Sequence, residues 1–401
     1  MTSVLASSRP THTRWQVVSG LQQAYSTGSS AAKTPKDSPL AHELYRTLTF
    51  YTLTPTAIPR HDLERLREQL WATLTRYRIL GRVYLSGDGI NLHLCAPIQH
   101  IEDLQRTIDD LVLSQYGKGI DGAIWNFSTQ EATTKRVFRK LKVQVKKQLV
   151  ADGRLGDWDI QSSKPPTYLE PEAWHRRLDL DAQGLDAHGH PTSERALLVD
   201  MRNHFENEVG TFKTAVKMDC TTFRENMDLL DELVKNRDKN KEILMVCTGG
   251  IRCSVSGRYL RQQGFTDVKM LKGGITSYGR YVKSQQHQEE EASSPETTTA
   301  TASHFIGKNF TFDGRRGERI TADIIAHCQQ CHTPHDDFSN CANSRCHLLF
   351  IQCPACRTKW NHTCGPECKE AVENGTGPAA QKPYDYHAQV RPDLEPISKA
   401  A

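Results

Sequence analysis

The first folded part of the chain is indicated by alternating strand-like and helix-like hydrophobic patterns between residues 46 and 153. Period-two runs predict strands, whereas apolar residues three and four apart predict helices. Their order is β-α-β-β-α-β, which predicts a ferredoxin-like (acylphosphatase-like) α+β domain. The predicted elements are a strand at 48–53, a helix at 59–74, strands at 82–85 and 90–94 around a Gly87-Asp88-Gly89 turn, a helix at 98–111 and a last strand at 137–145.

A second pattern occupies residues 165–283, where short, mostly apolar runs are separated by helical stretches. The clearest runs are Leu197–Asp200, Ile243–Val246 and Val268–Leu271. Strands that alternate with helices predict an α/β domain whose parallel sheet is covered on both faces. Reactive loops of such sheets lie at the carboxyl ends of the strands.

The remaining segments are polar or rich in cysteine. Residues 284–303 predict a disordered linker, residues 304–375 a cysteine-rich zinc-binding region, and residues 376–401 a tail. Residues 1–45 predict a disordered presequence and linker, because the first 36 residues carry four basic residues and no Asp or Glu. This composition favours a mitochondrial location. A tail without a targeting role, on a cytoplasmic protein, is the alternative.

The overall composition excludes few functions. Charged residues make up 24% of the chain and hydrophobic residues 37%, and the net charge is +4. So mild a charge does not by itself indicate a nucleic-acid partner. No apolar run approaches the roughly 18 to 20 residues that span a membrane, so we expect no membrane partner.

The most informative motif is the loop Cys247-Thr248-Gly249-Gly250-Ile251-Arg252-Cys253, which lies between a predicted strand and a predicted helix. Loop N–H groups, the positive end of the helix dipole and the Arg252 guanidinium would stabilise a thiolate at Cys247. We therefore predict Cys247 and Arg252 as catalytic residues and the rest of the loop as active site. A packed structural cysteine, a metal site and a cysteine phosphatase are the alternatives, although a phosphatase loop has one more residue between cysteine and arginine.

A cluster of cysteines lies near the carboxyl terminus. Eight of the twelve cysteines form four short-spaced pairs between residues 328 and 368. Eight thiolates match two tetrahedral zinc sites with no open position for a substrate, so we expect a structural role. Spacing leaves open whether the pairs combine sequentially or crosswise, and neighbouring histidines could replace a cysteine. The predicted ligands are Cys328, Cys331, Cys341, Cys346, Cys353, Cys356, Cys364 and Cys368.

The last predicted strand of the first domain is basic. Leu141, Val143 and Val145 alternate with Lys142 and Gln144, which places the apolar set on the core and the other set on the opposite face. By itself this pattern favours a solvated or protected edge strand. Because the strand belongs to a chain that also carries the reactive-cysteine loop, a surface that follows a phosphate backbone is an equal alternative. The predicted RNA-binding residues are Arg136, Arg139, Lys140, Lys142, Lys146 and Lys147.

These motifs together resemble the tRNA uridine hydroxylases that carry a rhodanese domain, and their animal relatives, the thiosulfate-sulfurtransferase-domain proteins. Residues 165–283 accordingly resemble the rhodanese domain itself. The motifs that carry the resemblance are Gly81 to Tyr84, Asp88 to Asn91, Lys140 to Val143, Val150 to Gly153, Leu169 to Trp174, Asp200 to Glu206, Cys247 to Cys253, Gly273 to Ile275, Asn309 to Asp313 and the terminal cysteines.

The resemblance implies oxygen-dependent conversion of the wobble uridine of tRNA to 5-hydroxyuridine, with molecular oxygen as co-substrate. Cys247 would act as a persulfide or as a nucleophile on the uracil ring. Asp200 and Arg202 would support the loop, and Cys253 would either resolve a persulfide or simply pack in the first helical turn. The partners are then the tRNA anticodon loop and a persulfide donor. The alternatives are a sulfurtransferase that needs no RNA and a non-catalytic interaction module.

Overall fold

The computed structural model describes residues 43–116, 124–128, 132–292 and 302–375. The predicted presequence lies outside these residues, apart from its last three positions, and so does the predicted tail at 376–401. Within the described ranges, no helix has both the length and the apolar character needed to cross a membrane.

The amino-terminal part is a five-stranded sheet in the order β4-β1-β3-β2-β5. A π-helical turn, Asp109–Leu113, joins its second and third helices. The elements are β1 (Tyr45–Leu53), α1 (Arg60–Arg76), β2 (Leu80–Ser86), β3 (Gly89–Pro97), α2 (Ile101–Ile108), α3 (Ser114–Tyr116), β4 (Ile124–Phe127) and β5 (Leu141–Val145).

One predicted strand has a different place in this sheet. The strand that completes the β-α-β-β-α-β order is β4, which pairs antiparallel with β1 at one edge. The basic strand exists as β5, but it pairs parallel with β2 at the opposite edge. The sequence prediction was therefore wrong about the last strand of the ferredoxin-like order. Four residues, Ile-Trp-Asn-Phe, are too few to produce a recognisable period-two pattern.

The two faces of this sheet differ in character, because successive side chains of a strand point to opposite sides. One face packs on α1 and α2 in a core that includes Phe50, Leu70, Val83, Leu92 and Leu104. The apolar residues of β5 join that core, as its alternation predicted. The other face is polar and carries Thr47, Thr49, Tyr51, Arg82, Tyr84, Asn91, His93 and Asn126.

The central part is a parallel sheet in the order β6-β11-β10-β7-β9, as the sequence predicted. Helices cover both faces: Met227 and Leu260 pack on one side, Trp174 and Tyr278 on the other. The elements are β6 (Thr167–Leu169), α4 (Pro171–Ala182), β7 (Leu197–Asp200), α5 (His204–Glu208), β8 (Gly210–Phe212), β9 (Val216–Lys217), α6 (Phe223–Val234), β10 (Ile243–Val246), α7 (Ile251–Gln262), β11 (Val268–Leu271) and α8 (Gly274–Ala292).

Helix α8 is longer than the sequence predicted. It continues to Ala292, whereas a disordered linker was expected from residue 284. A helix that is already nucleated by buried turns gains one hydrogen bond for each residue it adds, and Gln and Glu have good helix propensity. Residues 293–301, the centre of the predicted linker, lie outside the described part of the chain.

The carboxyl-terminal part begins with a strand that pairs antiparallel with β8, so it is joined directly to the central part. The following segment contains short strands, two short helices and the eight clustered cysteines. The elements are β12 (Phe305–Asn309), β13 (Glu318–Arg319), β14 (Phe338–Asn340), β15 (Leu349–Ile351), α9 (Pro354–Lys359) and α10 (Pro366–Glu373).

Candidate active site

The loop after β10 holds Cys247 against backbone donors. All four residues of β10 are buried, and the chain turns at Gly250 (φ 104°) into α7, which begins at Ile251. The Gly250 N–H donates to the Cys247 sulfur at 3.1 Å, and the carbonyl of Cys247 accepts from the Ile275 N–H at 3.0 Å. The predicted strand, loop and helix are therefore all present, with the sulfur at the amino-terminal end of the helix.

The thiol of Cys247 is set up to ionise near neutral pH. Burial alone would raise the pKa of Cys247, because desolvation disfavours the thiolate. The S–H of Cys253, the positive charge of Arg252 and the backbone N–H groups of Cys253 and Gly250 outweigh this effect and lower the pKa to about 6. The pKa of Cys253 is raised far above its ordinary value by burial and by the adjacent sulfur. Cys253 thus serves as a hydrogen-bond donor to Cys247.

Arg252 is anchored by an acidic residue from another element. Its two terminal nitrogens donate to the carboxylate of Glu206, at 2.6 and 2.8 Å, and one of them also donates to the Thr248 hydroxyl at 3.1 Å. The Thr248 hydroxyl in turn donates to Glu206 at 3.0 Å. Glu206 is completely buried, yet its pKa is lowered, since the charge of Arg252 outweighs the burial. A carboxylate therefore holds the guanidinium in place beside the sulfur.

Asp200, the last residue of β7, and Arg202, which follows the strand, form a second buried ion pair next to Glu206. Both are completely buried, and Arg202 donates to both carboxylate oxygens of Asp200, at 2.9 and 2.7 Å. Arg202 also donates to the backbone carbonyls of Glu206 and Gly210, at 3.3 and 2.7 Å. These contacts fix α5, the short helix that presents Glu206 to the loop. The contacts of these two residues reach the loop through Glu206, and their supporting role stays a prediction.

The polar face of the amino-terminal sheet packs directly on the loop. The amide nitrogen of Asn126 donates to the carbonyl of Gly249 at 3.1 Å. The hydroxyls of Tyr51 and Ser254 lie 3.1 Å apart. A Cβ atom placed on Gly250 would lie 2.7 Å from the Tyr51 hydroxyl, so this close approach requires glycine. The sequence predicted RNA-binding residues in the first domain, but it did not predict that the sheet of this domain contacts the loop directly.

A cavity of about 360 Å³ lies between the sheet and the loop. Cys247, Thr248 and Arg252 line it from the central part, and the polar sheet face lines it from the amino-terminal part. A third wall comes from residues 311–318 after β12. All three parts of the chain therefore surround the reactive sulfur.

The third wall is held by a buried ion-pair network. Arg315 donates to both carboxylate oxygens of Asp313 and contacts Glu318, while His93 from β3 lies 3.3 Å from Asp313. Asp313 has a strongly lowered pKa, because Arg315 and His93 outweigh its burial. Arg82 donates to the carbonyl of Phe312 at 3.2 Å. This network connects the carboxyl-terminal part to the amino-terminal sheet.

The chain matches three family models, one for each part. Residues 45–149 match a UPF0176 acylphosphatase-like domain, residues 185–280 a rhodanese-like domain, and residues 306–369 the model named Rhodanase C-terminal.

Relatives match across most of the chain. A tRNA uridine(34) hydroxylase of Erwinia tasmaniensis is 36% identical over 81% of this chain and 82% of its own length. Proteins of the same name from Yersinia enterocolitica and Escherichia fergusonii are 35% and 34% identical, over 78% and 84% of this chain and 79% and 84% of their own lengths. The chain belongs to the tRNA uridine(34) hydroxylase family. The family that the sequence motifs resembled is thereby confirmed.

In this hydroxylase-family chain, the basic residues predicted to contact RNA are all exposed. Lys142 pairs in register with Arg82, and Gln144 with Tyr84, so the exposed side of β5 continues the sheet face that lines the cavity. The Lys146 ammonium lies 5.3 Å from the centre of the Tyr84 ring. Lys140 lies just before β5, two residues from Lys142, and so continues the same side of the strand. Arg136, Arg139 and Lys147 also lie outside β5.

The clustered cysteines form two groups of four, and the pairs combine crosswise. Within each group all sulfur atoms lie within 4.8 Å of one another, a donor set that fits a tetrahedral thiolate metal site. The predicted metal-ligand pairs are thus brought together, and the question of their combination is answered. The first and third pairs form the group Cys328, Cys331, Cys353 and Cys356, and the second and fourth pairs form the group Cys341, Cys346, Cys364 and Cys368.

Three parts of this family member's site were not among the predicted site residues. They are Glu206, the polar sheet face around Tyr51 and Asn126, and the wall at residues 311–318. A signal existed for the first and third, since Glu206 and the 309–313 segment both belong to motifs that carried the family resemblance. For the sheet face, period-two alternation marks polar positions but does not indicate what packs on them.

Proposed function

We propose that this chain hydroxylates uridine 34 of tRNA, with Cys247 as the reacting residue. The observation that carries the proposal is the thiol of lowered pKa at a cavity lined by all three parts of the chain. The chain also matches a tRNA uridine(34) hydroxylase over four-fifths of its length. A sulfur carrier acting on small molecules alone would have no need of the amino-terminal sheet that closes over the loop.

The cavity has the size and lining that a single flipped base requires. About 360 Å³ lies within the range of small-ligand sites. Aromatic rings of Tyr84 and Phe312 offer stacking surfaces, and the Asn91 and Asn126 amides offer donors and acceptors for a base edge. A nucleotide splayed out of the anticodon loop would bring its ring to the Cys247 sulfur.

Cys247 has two possible roles within the proposed reaction. As a thiolate it would add to the uracil ring, and as a persulfide it would carry sulfur received from a donor. Its low pKa and its backbone donors support an anionic sulfur in both cases. Arg252, held by Glu206, would maintain the positive potential at the sulfur. Asp200 and Arg202 would keep Glu206 in position.

The anticodon-loop backbone would lie along the exposed side of β5. Lys140, Lys142 and Lys146 would approach phosphates while the base enters the cavity, because these side chains continue the sheet face that lines it. Arg136, Arg139 and Lys147 would extend the contact beyond the strand.

The cofactors follow from donor chemistry and from the family. Zinc is the metal that two groups of four thiolates suit best, and such closed sites would stabilise the fold. Molecular oxygen would be the co-substrate: one oxygen atom would become the new hydroxyl, and the other would leave as water after reduction by two electrons from a cellular reductant.

The predicted domain boundaries and location remain proposals. Limited proteolysis of the full chain would test whether cleavage falls between residues 293 and 303, after the end of α8. A fluorescent protein fused after residue 45 would test the presequence: mitochondrial import supports it, and a diffuse signal favours the cytoplasmic alternative.

The decisive experiment compares tRNA nucleosides by mass spectrometry from cells with the native chain, without it, and with Cys247→Ser. We expect 5-hydroxyuridine only with the native chain or with the control variant Cys220→Ala, and we expect heavy oxygen in the product under ¹⁸O₂. Unchanged 5-hydroxyuridine in the deletion strain, together with thiosulfate sulfurtransferase activity of the purified chain, would establish the alternative instead.

A further inference from the structure

A cluster of two histidines and one aspartate lies apart from the cavity and from the clustered cysteines. His175 and Asp179 are one helical turn apart on α4, and His304 comes from the segment that leads into β12. One nitrogen of each ring and a carboxylate oxygen all lie within 4.8 Å of one another. The Nε2 atom of His304 is 2.7 Å from one carboxylate oxygen, and Nε2 of His175 is 3.6 Å from the other. Both rings therefore direct the same nitrogen at a single carboxylate.

The second nitrogen of His175 has a partner of its own. Its Nδ1 lies 2.8 Å from the hydroxyl of Tyr278, which is completely buried in α8. Histidines that bind metals usually donate their other ring N–H to such an outer partner, which fixes the ring orientation and the tautomer. The Tyr278 oxygen also accepts from the backbone N–H of His304 at 3.1 Å, so one hydroxyl positions two of the three residues.

We propose that His175, Asp179 and His304 bind a divalent transition-metal ion, at a site separate from the two cysteine groups. Two imidazoles and one carboxylate are the donor set of many zinc sites with three protein ligands, and imidazole suits Zn²⁺, Co²⁺, Ni²⁺ and Cu²⁺ alike. The ion would replace the protons that otherwise link the rings to the carboxylate. The fourth position on the ion would be open to solvent on the side of Asp179, because the side chain of Asp179 is 44% exposed.

The ion would tie the carboxyl-terminal part to the central part. α4 and α8 belong to the central part, whereas His304 is the last residue before β12 of the carboxyl-terminal part. A metal bond at this point would fix the chain where it returns to the sheet of β8 and β12. None of the three ligands is among the described residues that line the cavity, so metal binding here does not depend on the proposed hydroxylation.

Cobalt titration of the metal-depleted full chain distinguishes this site from the cysteine groups. Thiolate ligands give Co²⁺ an intense charge-transfer absorption, whereas nitrogen and oxygen ligands give only weak visible bands. We expect three bound equivalents per chain, of which two raise the thiolate absorption and the third does not. His304→Ala and Asp179→Asn should each bind two equivalents with the thiolate absorption intact, which also shows that the variants fold.

A matched control and an outer-partner variant complete the test. His335 has nearly the same side-chain exposure as His304, 18% against 19%, and also faces an aspartate, so His335→Ala should keep three equivalents. Tyr278→Phe should weaken the third equivalent about 10- to 100-fold, as loss of an outer partner does in other sites. Two equivalents in the native chain, or a third that survives both His304→Ala and Asp179→Asn, would overturn the proposal.

Discussion

Arg252 and Glu206 form a two-pronged ion pair that is almost entirely buried, with nitrogen–oxygen distances of 2.6 and 2.8 Å. The guanidinium is therefore committed to a carboxylate, and its effect on the Cys247 sulfur is electrostatic. A free arginine side chain could swing away from the sulfur, whereas this one is fixed by Glu206 and Thr248. The geometry of the reactive loop thus depends on a residue outside the loop.

Removal of Glu206 should destabilise the chain strongly. Glu206→Ala leaves the charge of Arg252 buried without its partner, and the loss of one member of a buried pair costs about 3–5 kcal/mol. Chemical denaturation measures this cost. The exposed pair Glu172 and Arg176 is the control, since Glu172→Ala should cost at most about 1 kcal/mol.

A double-mutant cycle isolates the pair itself. Arg252→Ala should also be strongly destabilising, because it leaves the Glu206 carboxylate buried and unpaired. The variant with both changes should then lose clearly less than the sum of the two single costs. Additive costs would mean that the two side chains do not interact as the structure describes.

Alkylation of Cys247 should depend on pH with a midpoint near 6. The folded-state pKa is lowered, so the reactive thiolate is present above pH 6 and is lost as the pH falls through that value. Cys247 and Cys220 are both 1% exposed, but Cys247 lines the cavity, and we expect iodoacetamide to approach its sulfur from there. Peptide mass spectrometry would follow the rate, with buried Cys220 as internal reference, since burial raises its pKa to about 12. A Cys247 rate that still rises tenfold per pH unit through pH 8 is incompatible with this prediction.

The parts of the site that the sequence predicted are those whose chemistry is local. Cys247, the glycines and Arg252 occupy one strand, turn and helix, so their spacing alone indicates an anionic sulfur. Glu206 lies 46 residues before Arg252, and no local pattern marks it as the partner of that arginine. The contact of Tyr51 with Ser254 joins two domains across 203 residues and depends on how their surfaces fit.

The same distinction applies to the fold. The spacing within each cysteine pair is a local feature, and it was enough to predict metal ligands. The crosswise combination of the pairs is a tertiary feature that spacing does not determine. Strands with several alternating residues were found. β4 was missed because its four residues are too few to show a period-two pattern, and its place at the sheet edge depends on pairing with β1.

Alanine at Gly250 should disturb the loop, whereas alanine at Gly249 should not. Gly250 has a φ of 104°, which costs other residues about 1–3 kcal/mol, and its added Cβ would meet the Tyr51 hydroxyl at 2.7 Å. A Cβ on Gly249 meets its nearest neighbour, the Asn126 amide, only at 4.0 Å. Thermal unfolding and the alkylation rate of Cys247 are the measurements. Tyr51→Phe should restore part of the loss in Gly250→Ala, because it removes the crowded hydroxyl but not the backbone strain.

Loss of one ligand should release one metal and expose a defined set of thiols. In Cys328→Ser, the first group loses its ion while the second keeps it, because the pairs combine crosswise. Mass spectrometry after thiol labelling should then find modification at Cys331, Cys353 and Cys356, with protection retained at Cys341, Cys346, Cys364 and Cys368. Labelling of Cys341 and Cys346 in place of Cys353 and Cys356 would mean that the pairs combine sequentially.

Neutralising the cavity side of β5 should weaken tRNA binding, whereas the same charge change on α1 should not. Lys140, Lys142 and Lys146 changed together to Gln remove three charges beside the cavity, so the slope of log affinity against log salt should become less steep by about 2. α1 packs on the other face of the sheet. The matched control changes three exposed arginines of this helix to Gln: Arg65, Arg67 and Arg76. Filter binding over a salt series measures both. Equal losses in the two variants would mean that tRNA responds only to net charge, and no loss in the first would leave β5 a solvated edge strand.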